Sequence, residues 1–104
     1  MILPKVTTIY NNAFGNCSSL AKVDLTLITE IKASTFVGCS SLTTLILRNN
    51  SMVTLSNTNA FTNSAIANGT GYIYVPDALV DTYKADSAWS TYATQIKGIS
   101  ELPA

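Results

Sequence analysis

Two cysteines, six carboxylates and no histidine are the groups from which any chemistry in this chain has to be built. Without an imidazole there is no Ser–His or Cys–His nucleophile pair and no His-based proton relay or zinc site. Cys17 and Cys39 lack a partner that would hold a reactive thiolate. They stand 22 positions apart, and Ser64 occupies the corresponding place farther along. That exchange of a thiol for a near-isosteric hydroxyl fits a size requirement, so the three read as a column of small buried side chains. Asp77 and Asp81 have helical i,i+4 spacing. They read as an N-cap and a first-turn acid, favoured by the helix dipole, in preference to a cation site. Asn68-Gly69-Thr70-Gly71 lacks the Lys-Ser/Thr and the following helix of a phosphate loop and reads as a turn. The chemistry-bearing residues thus predict no catalytic residue, no metal and no cofactor.

The elements that hold these residues repeat. Val6-Thr7-Thr8-Ile9, Ala13-Phe14, Cys17-Ser18-Ser19-Leu20 and Val23-Asp24-Leu25 return as Ile28-Thr29-Glu30-Ile31, Thr35-Phe36, Cys39-Ser40-Ser41-Leu42 and Leu45-Ile46-Leu47, each offset by 22 positions. A fixed period in this range with Leu at set offsets is the mark of a leucine-rich-repeat solenoid. The full units run over residues 6–25 and 28–47, and a degenerate one over 53–75, with extra residues near Asn49–Ser51 and at the Gly-rich turn. Leu3-Pro4-Lys5-Val6 aligns with Leu25-Thr26-Leu27-Ile28, which puts Met1 in register with Val23 and Leu45. The chain is therefore expected to start inside a strand, leaving an open edge.

Strand alternation predicts which side chains face where. Leu20, Val23 and Leu25, with Leu42, Leu45 and Leu47, point inward; Phe14, Phe36 and Phe61 stack inside; Ile9, Ile31 and Leu55 line the opposite wall. Asp24, Ile46 and Tyr74 then form one outward column, and Lys22, Thr44 and Tyr72 its neighbour. Tyr10 and Lys32 are outward on the other strand. After Val75, Pro76-Asp77 signals a helix start with Leu79, Val80 and Tyr83 on one face. Ser87 is expected to cap a second short helix that turns Trp89, Ala93 and Ile96 inward, and Ile99 to add a last extended segment. Residues 76–104 read as a helical cap on a solenoid spanning 1–75, with Trp89 as its plug.

Composition narrows the function classes. Charged residues are 12% of the 104 and the net charge is zero, against about 25% charged in an average domain. Nothing here makes the basic face that nucleic acid or an anionic membrane requires. Ser, Thr and Asn are about a third of the chain, giving a polar but uncharged surface. Met1–Lys5 does not read as a signal peptide, and no apolar run is long enough for a membrane span.

The pattern Leu20-x-x-Val23-x-Leu25, then Ile28-x-x-Ile31, Phe36 and Cys39-Ser40-Ser41-Leu42, resembles the BspA-like (Treponema pallidum type) leucine-rich repeats. The resemblance covers Leu3 to about Val75. The closing segment from Tyr74-Val75-Pro76-Asp77 through Trp89 to Ile96 is similar to segments that end such arrays in gut Firmicutes and their phages. The resemblance implies a non-enzymatic, right-handed solenoid, mainly β, that binds another protein. The expected binding face carries Asp24, Thr44, Ile46, Tyr72 and Tyr74, as an exposed sheet with aromatic anchors. Two settings follow from it: a phage-encoded inhibitor of a host protein in the bacterial cytoplasm, or the terminal piece of a cell-surface or phage tail adhesin. Self-association through the N-terminal edge is the structural alternative.

Overall fold

The computed structural model describes residues 2–102. Sheet A is five-stranded and parallel throughout, built from β1 (Ile2–Leu3), β3 (Lys22–Leu25), β5 (Thr44–Leu47), β7 (Tyr72–Val75) and β8 (Ile96–Gly98), in that order. Sheet B contains β2 (Thr8–Ile9), β4 (Glu30–Ile31) and β6 (Thr54–Leu55), also parallel. Strands alternate between the two sheets along the chain until β7, so each repeat contributes one rung to each. Among the described residues one α-helix, α1 (Val80–Ala85), and short 3₁₀ turns occupy the C-terminal segment.

The 22-residue period is the register itself. Ile2 pairs with Asp24, Lys22 with Thr44 and Thr8 with Glu30, each 22 positions on. Farther along, Glu30 pairs with Thr54 and Thr44 with Tyr72. Two residues have therefore been added before β6 and four more before β7. Both additions leave as loops, so strand alternation and the inward set survive them.

A third backbone ladder crosses the turns between the sheets. The N–H groups of Phe14 and Asn16 donate to the carbonyls of Thr35 and Val37 (2.9 and 2.7 Å), and those of Phe36 and Gly38 donate to Ala60 and Thr62 (2.7 and 2.9 Å). The residue that turns each corner has a left-handed backbone: Asn16 at φ 60°, Gly38 at 73° and Asn63 at 59°. Asn and Gly are the residues that tolerate this region. The N–H of the next residue, Cys17, Cys39 or Ser64, donates to the carbonyl of Phe14, Phe36 or Phe61 respectively.

The core is a set of columns. Phe14, Phe36 and Phe61 stack with centroids 5.4 and 5.6 Å apart and planes within 3° of parallel. Val23, Leu25, Leu45, Leu47, Ile73 and Val75 fill the sheet A side, while Ile9, Ile31 and Leu55 line the sheet B wall as the alternation predicts. Packing one repeat on the next buries apolar surface that a lone repeat leaves in water.

The phenylalanine column ends on aromatics of the C-terminal segment. Trp89 lies 6.0 Å from Phe61, Tyr92 meets the same ring edge-on at 5.2 Å, and Tyr83 packs edge-on against Trp89 at 5.4 Å. Trp89 is fully buried, as expected of a plug. Its indole N–H donates to the Val53 carbonyl (2.8 Å), and the Val53 N–H donates to the Tyr83 hydroxyl (2.9 Å). The Tyr92 hydroxyl donates to the Thr58 carbonyl.

Several local expectations are corrected. Cys39 and Ser64 are buried, but Cys17 is exposed, because no earlier repeat packs over it among the described residues. Met1, placed by the alignment at the head of β1, lies outside the described residues. Asp77 does not cap a helix: it opens a 3₁₀ turn (Asp77–Leu79) with no side-chain cap, and its carboxylate accepts from the Ser100 N–H (3.2 Å). Ser87 caps no second helix: the 3₁₀ segment Trp89–Gln95 starts at Ala88 without a side-chain cap, and the turn leading into it is held by Asp86, whose Oδ1 accepts from the N–H groups of Ala88 and Trp89 (2.9 and 3.2 Å). Ile96 is not on a helix but starts β8, the last rung of sheet A, while Ile99 begins a 3₁₀ turn. A three-residue strand gives too few alternations to be told from the end of a helix by period alone.

Candidate partner-binding face

Sheet A turns one side to the core and one outward. The outward side holds two columns set by register. Ile2, Asp24, Ile46, Tyr74 and Lys97 pair in one line across the five strands. Lys22, Thr44 and Tyr72 pair in the line two residues earlier on β3, β5 and β7. Arg48, two residues beyond Ile46, continues the alternation onto the same side.

All five expected residues therefore share one face, but not as an open patch. Asp24 is 8% exposed, Tyr74 5% and Ile46 0%. Neighbouring rungs sit only about 4.8 Å apart, so long side chains lean across adjacent columns. Arg48 folds back onto Asp24, its Nε and Nη2 donating to Oδ1 and Oδ2 at 2.8 and 3.0 Å. The rings of Tyr72 and Tyr74 lie 6.4 Å apart, and the Lys97 ammonium rests 4.7 Å from the centre of the Tyr72 ring. Ile46 sits in the same line between Asp24 and Tyr74 and has no accessible surface. Thr44 and Tyr72 are half-buried, and Arg48 is exposed. Asp24, Ile46 and Tyr74 are thus the floor of the face, and Tyr72, Thr44, Arg48 and Lys97 are its surface.

The Arg48–Asp24 pair is bidentate, the geometry in which a guanidinium holds a carboxylate most firmly. That hydrogen bonding pushes the Arg48 pKa further above its already high ordinary value. Arg48 was legible as the next outward position after Ile46. Lys97 was not, because its strand was read as part of a helix.

Two other surfaces compare poorly with this one as contact faces. On sheet B, Glu30 is engaged by Ser56 (2.6 Å) and Lys32 (3.4 Å). The Ser56 hydrogen bond, followed by the charge of Lys32, holds the Glu30 carboxyl below its ordinary range. Lys32 also lies 5.8 Å from the ring of Tyr10, which is exposed. At the N-terminal end, a groove of about 280 Å³ opens between Leu3, Val6, Ile9, Tyr10, Ala13 and Phe14. It is apolar and uncharged and shows the half-buried end of the phenylalanine column.

No group of three or more His, Cys, Asp or Glu side chains gathers as a metal site among the described residues. No helix there is long and apolar enough to cross a membrane. The family described as BspA type leucine-rich repeat region (6 copies) matches residues 1–77. No curated protein and no solved structure matches the chain. The match covers both full repeats, the degenerate one, and every strand of both sheets except β8. It shows that the chain belongs to the BspA-type leucine-rich-repeat family.

Proposed function

We propose that the chain is a protein-binding module whose partner lies on the outer face of sheet A, over Asp24, Thr44, Ile46, Tyr72 and Tyr74. The observation that carries this reading is the Tyr72 ring, half-buried on β7, the strand next to the C-terminal end of the parallel sheet, and backed by Tyr74 and Lys97. Tyr and Arg dominate the binding energy of protein interfaces, and a sheet presents them with little conformational entropy left to lose. Thr44 and Tyr72 are the contacts in this reading, and Asp24 acts through Arg48. The array is read as a right-handed solenoid of about three coils over residues 1–75, the hand that parallel strands joined by crossovers favour, closed by residues 76–104 as a cap.

The test is a pull-down from bacterial lysate with the tagged chain beside a Tyr72→Ser variant. Tyr72 is the better probe of the face, since Tyr74→Ser also opens a hole in its floor. One dominant protein lost with Tyr72→Ser supports the face. A protein retained equally by both forms places the interface elsewhere. The resemblance to repeats of gut Firmicutes and their phages supplies the two settings proposed, an inhibitor of a host protein or part of a surface or tail adhesin. A captured cytoplasmic protein favours the first; binding only to intact cells or their envelope favours the second.

The N-terminal groove favours a second reading, assembly through the open edge. β1 ends the described sheet A, and its Ile2 is 70% exposed. Unprotected edge strands and uncapped solenoid ends are both prone to pairing. Analytical ultracentrifugation checks it: a dimer that Ile2→Lys abolishes supports self-association, and a monomer at high concentration removes it.

A further inference from the structure

The charges of this neutral chain are segregated, and the segregation falls on the proposed face. Of the six cations, Lys22, Arg48 and Lys97 stand on the outer side of sheet A, whose strands carry Asp24 as their one side-chain carboxylate among the described residues. Asp24 is already held by both arms of Arg48. Four of the remaining carboxylates, Asp77, Asp81, Asp86 and Glu101, lie in the C-terminal segment, and Glu30 is on sheet B, occupied by Ser56 and Lys32. The face thus presents an ammonium stacked on an aromatic ring at Lys97–Tyr72 and a guanidinium at Arg48; the exposed carboxylates beside it among the described residues, Asp77 and Glu101, are turned to the Ser100 and Gly98 N–H groups past the end of the Lys97 strand.

We infer that the occupant of this face is an acidic segment of the partner protein, whose carboxylates meet Lys97 and Arg48 while an apolar side chain rests on Tyr72. The inference rests on the reading of sheet A as the binding face and names the chemistry of what binds there. Charge complementarity of this kind sets specificity and on-rate more than raw affinity, and it weakens with salt. Arg48 has its Nη1 edge left for a second acceptor, since Nε and Nη2 are taken by Asp24. Lys97 is held over the sheet by the Tyr72 ring, so its charge is already positioned before contact.

The experiment uses the full chain, fluorescently labelled, on an array of 12-residue peptides. Three sets share the same apolar residues and differ only in whether the other positions are Glu, Lys or Ser. The variants are Tyr72→Ser, Lys97→Glu, Thr44→Lys and Thr44→Glu, each first shown by circular dichroism to keep the parent spectrum. Expected are binding to Glu peptides, a loss of roughly tenfold with Lys97→Glu, and a gain of a few fold with Thr44→Lys, with the parent signal falling as salt rises. Thr44→Glu is the second route to the same loss if Lys97→Glu does not fold. Binding to Ser or Lys peptides that Tyr72→Ser removes would keep the face and overturn its acidic preference. Binding to Glu peptides that neither Tyr72→Ser nor a change at Thr44 alters would overturn the face and the inference together. No binding to any Glu peptide also overturns the inference.

Discussion

Val53 has its backbone gripped from both sides: its N–H by the Tyr83 hydroxyl and its carbonyl by the Trp89 indole. It follows the inserted residues of the third repeat, and the two aromatics supply the partners its polar groups need in a dry site. Tyr83→Phe removes only the acceptor and strands a buried N–H, so it is expected to cost about 1–3 kcal/mol in urea unfolding. The thiols give a second test at this scale. Cys17 is exposed, whereas Cys39 is buried and its Sγ donates to the Phe14 carbonyl at 3.0 Å. Burial pushes the Cys39 thiol up. One equivalent of a thiol reagent is expected to react promptly, at Cys17, and the second only on unfolding; equal rates at both sites would count against this placement. The shared size of Cys and Ser was readable from the sequence. The exposure of Cys17 was not, because a column has ends and periodicity describes only its interior.

At the scale of elements, the repeats place most strands and leave the exceptions to chemistry that does not repeat. Period and alternation located β1 to β7 and the inward columns, since each 22-residue step is a hydrogen-bonded rung. They misplaced β8, whose three residues do not repeat earlier ones, and they took the outer column for an open surface. Outwardness is a direction, whereas exposure depends on what leans across, and Arg48 over Asp24 is such a case. The left-handed corner at Asn16, Gly38 and Asn63 carries a readable signal, Asn or Gly just before each Cys or Ser, but its meaning needs the backbone angle. Gly71 is the close approach that admits β7 to the sheet: a Cβ there would lie 2.5 Å from the Leu42 carbonyl oxygen and 3.0 Å from the Ile66 nitrogen. Both are backbone atoms that cannot swing aside. Gly71→Ala is expected to destabilise by about 1–3 kcal/mol through overpacking, whereas Gly69→Ala meets only the far end of Gln95 at 3.8 Å and is strained only by its φ of 87°. Thermal melts of the two variants check the order.

For the whole molecule, stability is expected to fall at alkaline pH. Burial raises the pKa of both Tyr83 and Tyr92, whose rings close the end of the phenylalanine column. Their folded pKa values lie above the ordinary value of about 10. The folded state therefore keeps protons that the unfolded chain gives up, and stability is fully present below about pH 10 and lost as pH rises through the folded values. Urea titrations at pH 8 and above pH 10, with phenolate absorbance followed alongside, test it; a midpoint that stays constant across that range would contradict it. The order of strands in sheet A has a mechanical meaning as well. Every hydrogen bond of its ladder points along the stacking axis, and the chain runs from β1 at one edge to β8 at the other. Tension applied between the two ends loads those bonds one rung at a time, as a zipper is loaded, and never shears a whole sheet at once. Each released 22-residue turn lengthens the chain by roughly 70–80 Å at full extension. The molecule is accordingly stiff against a partner pressed on its face and yielding to a pull along its length.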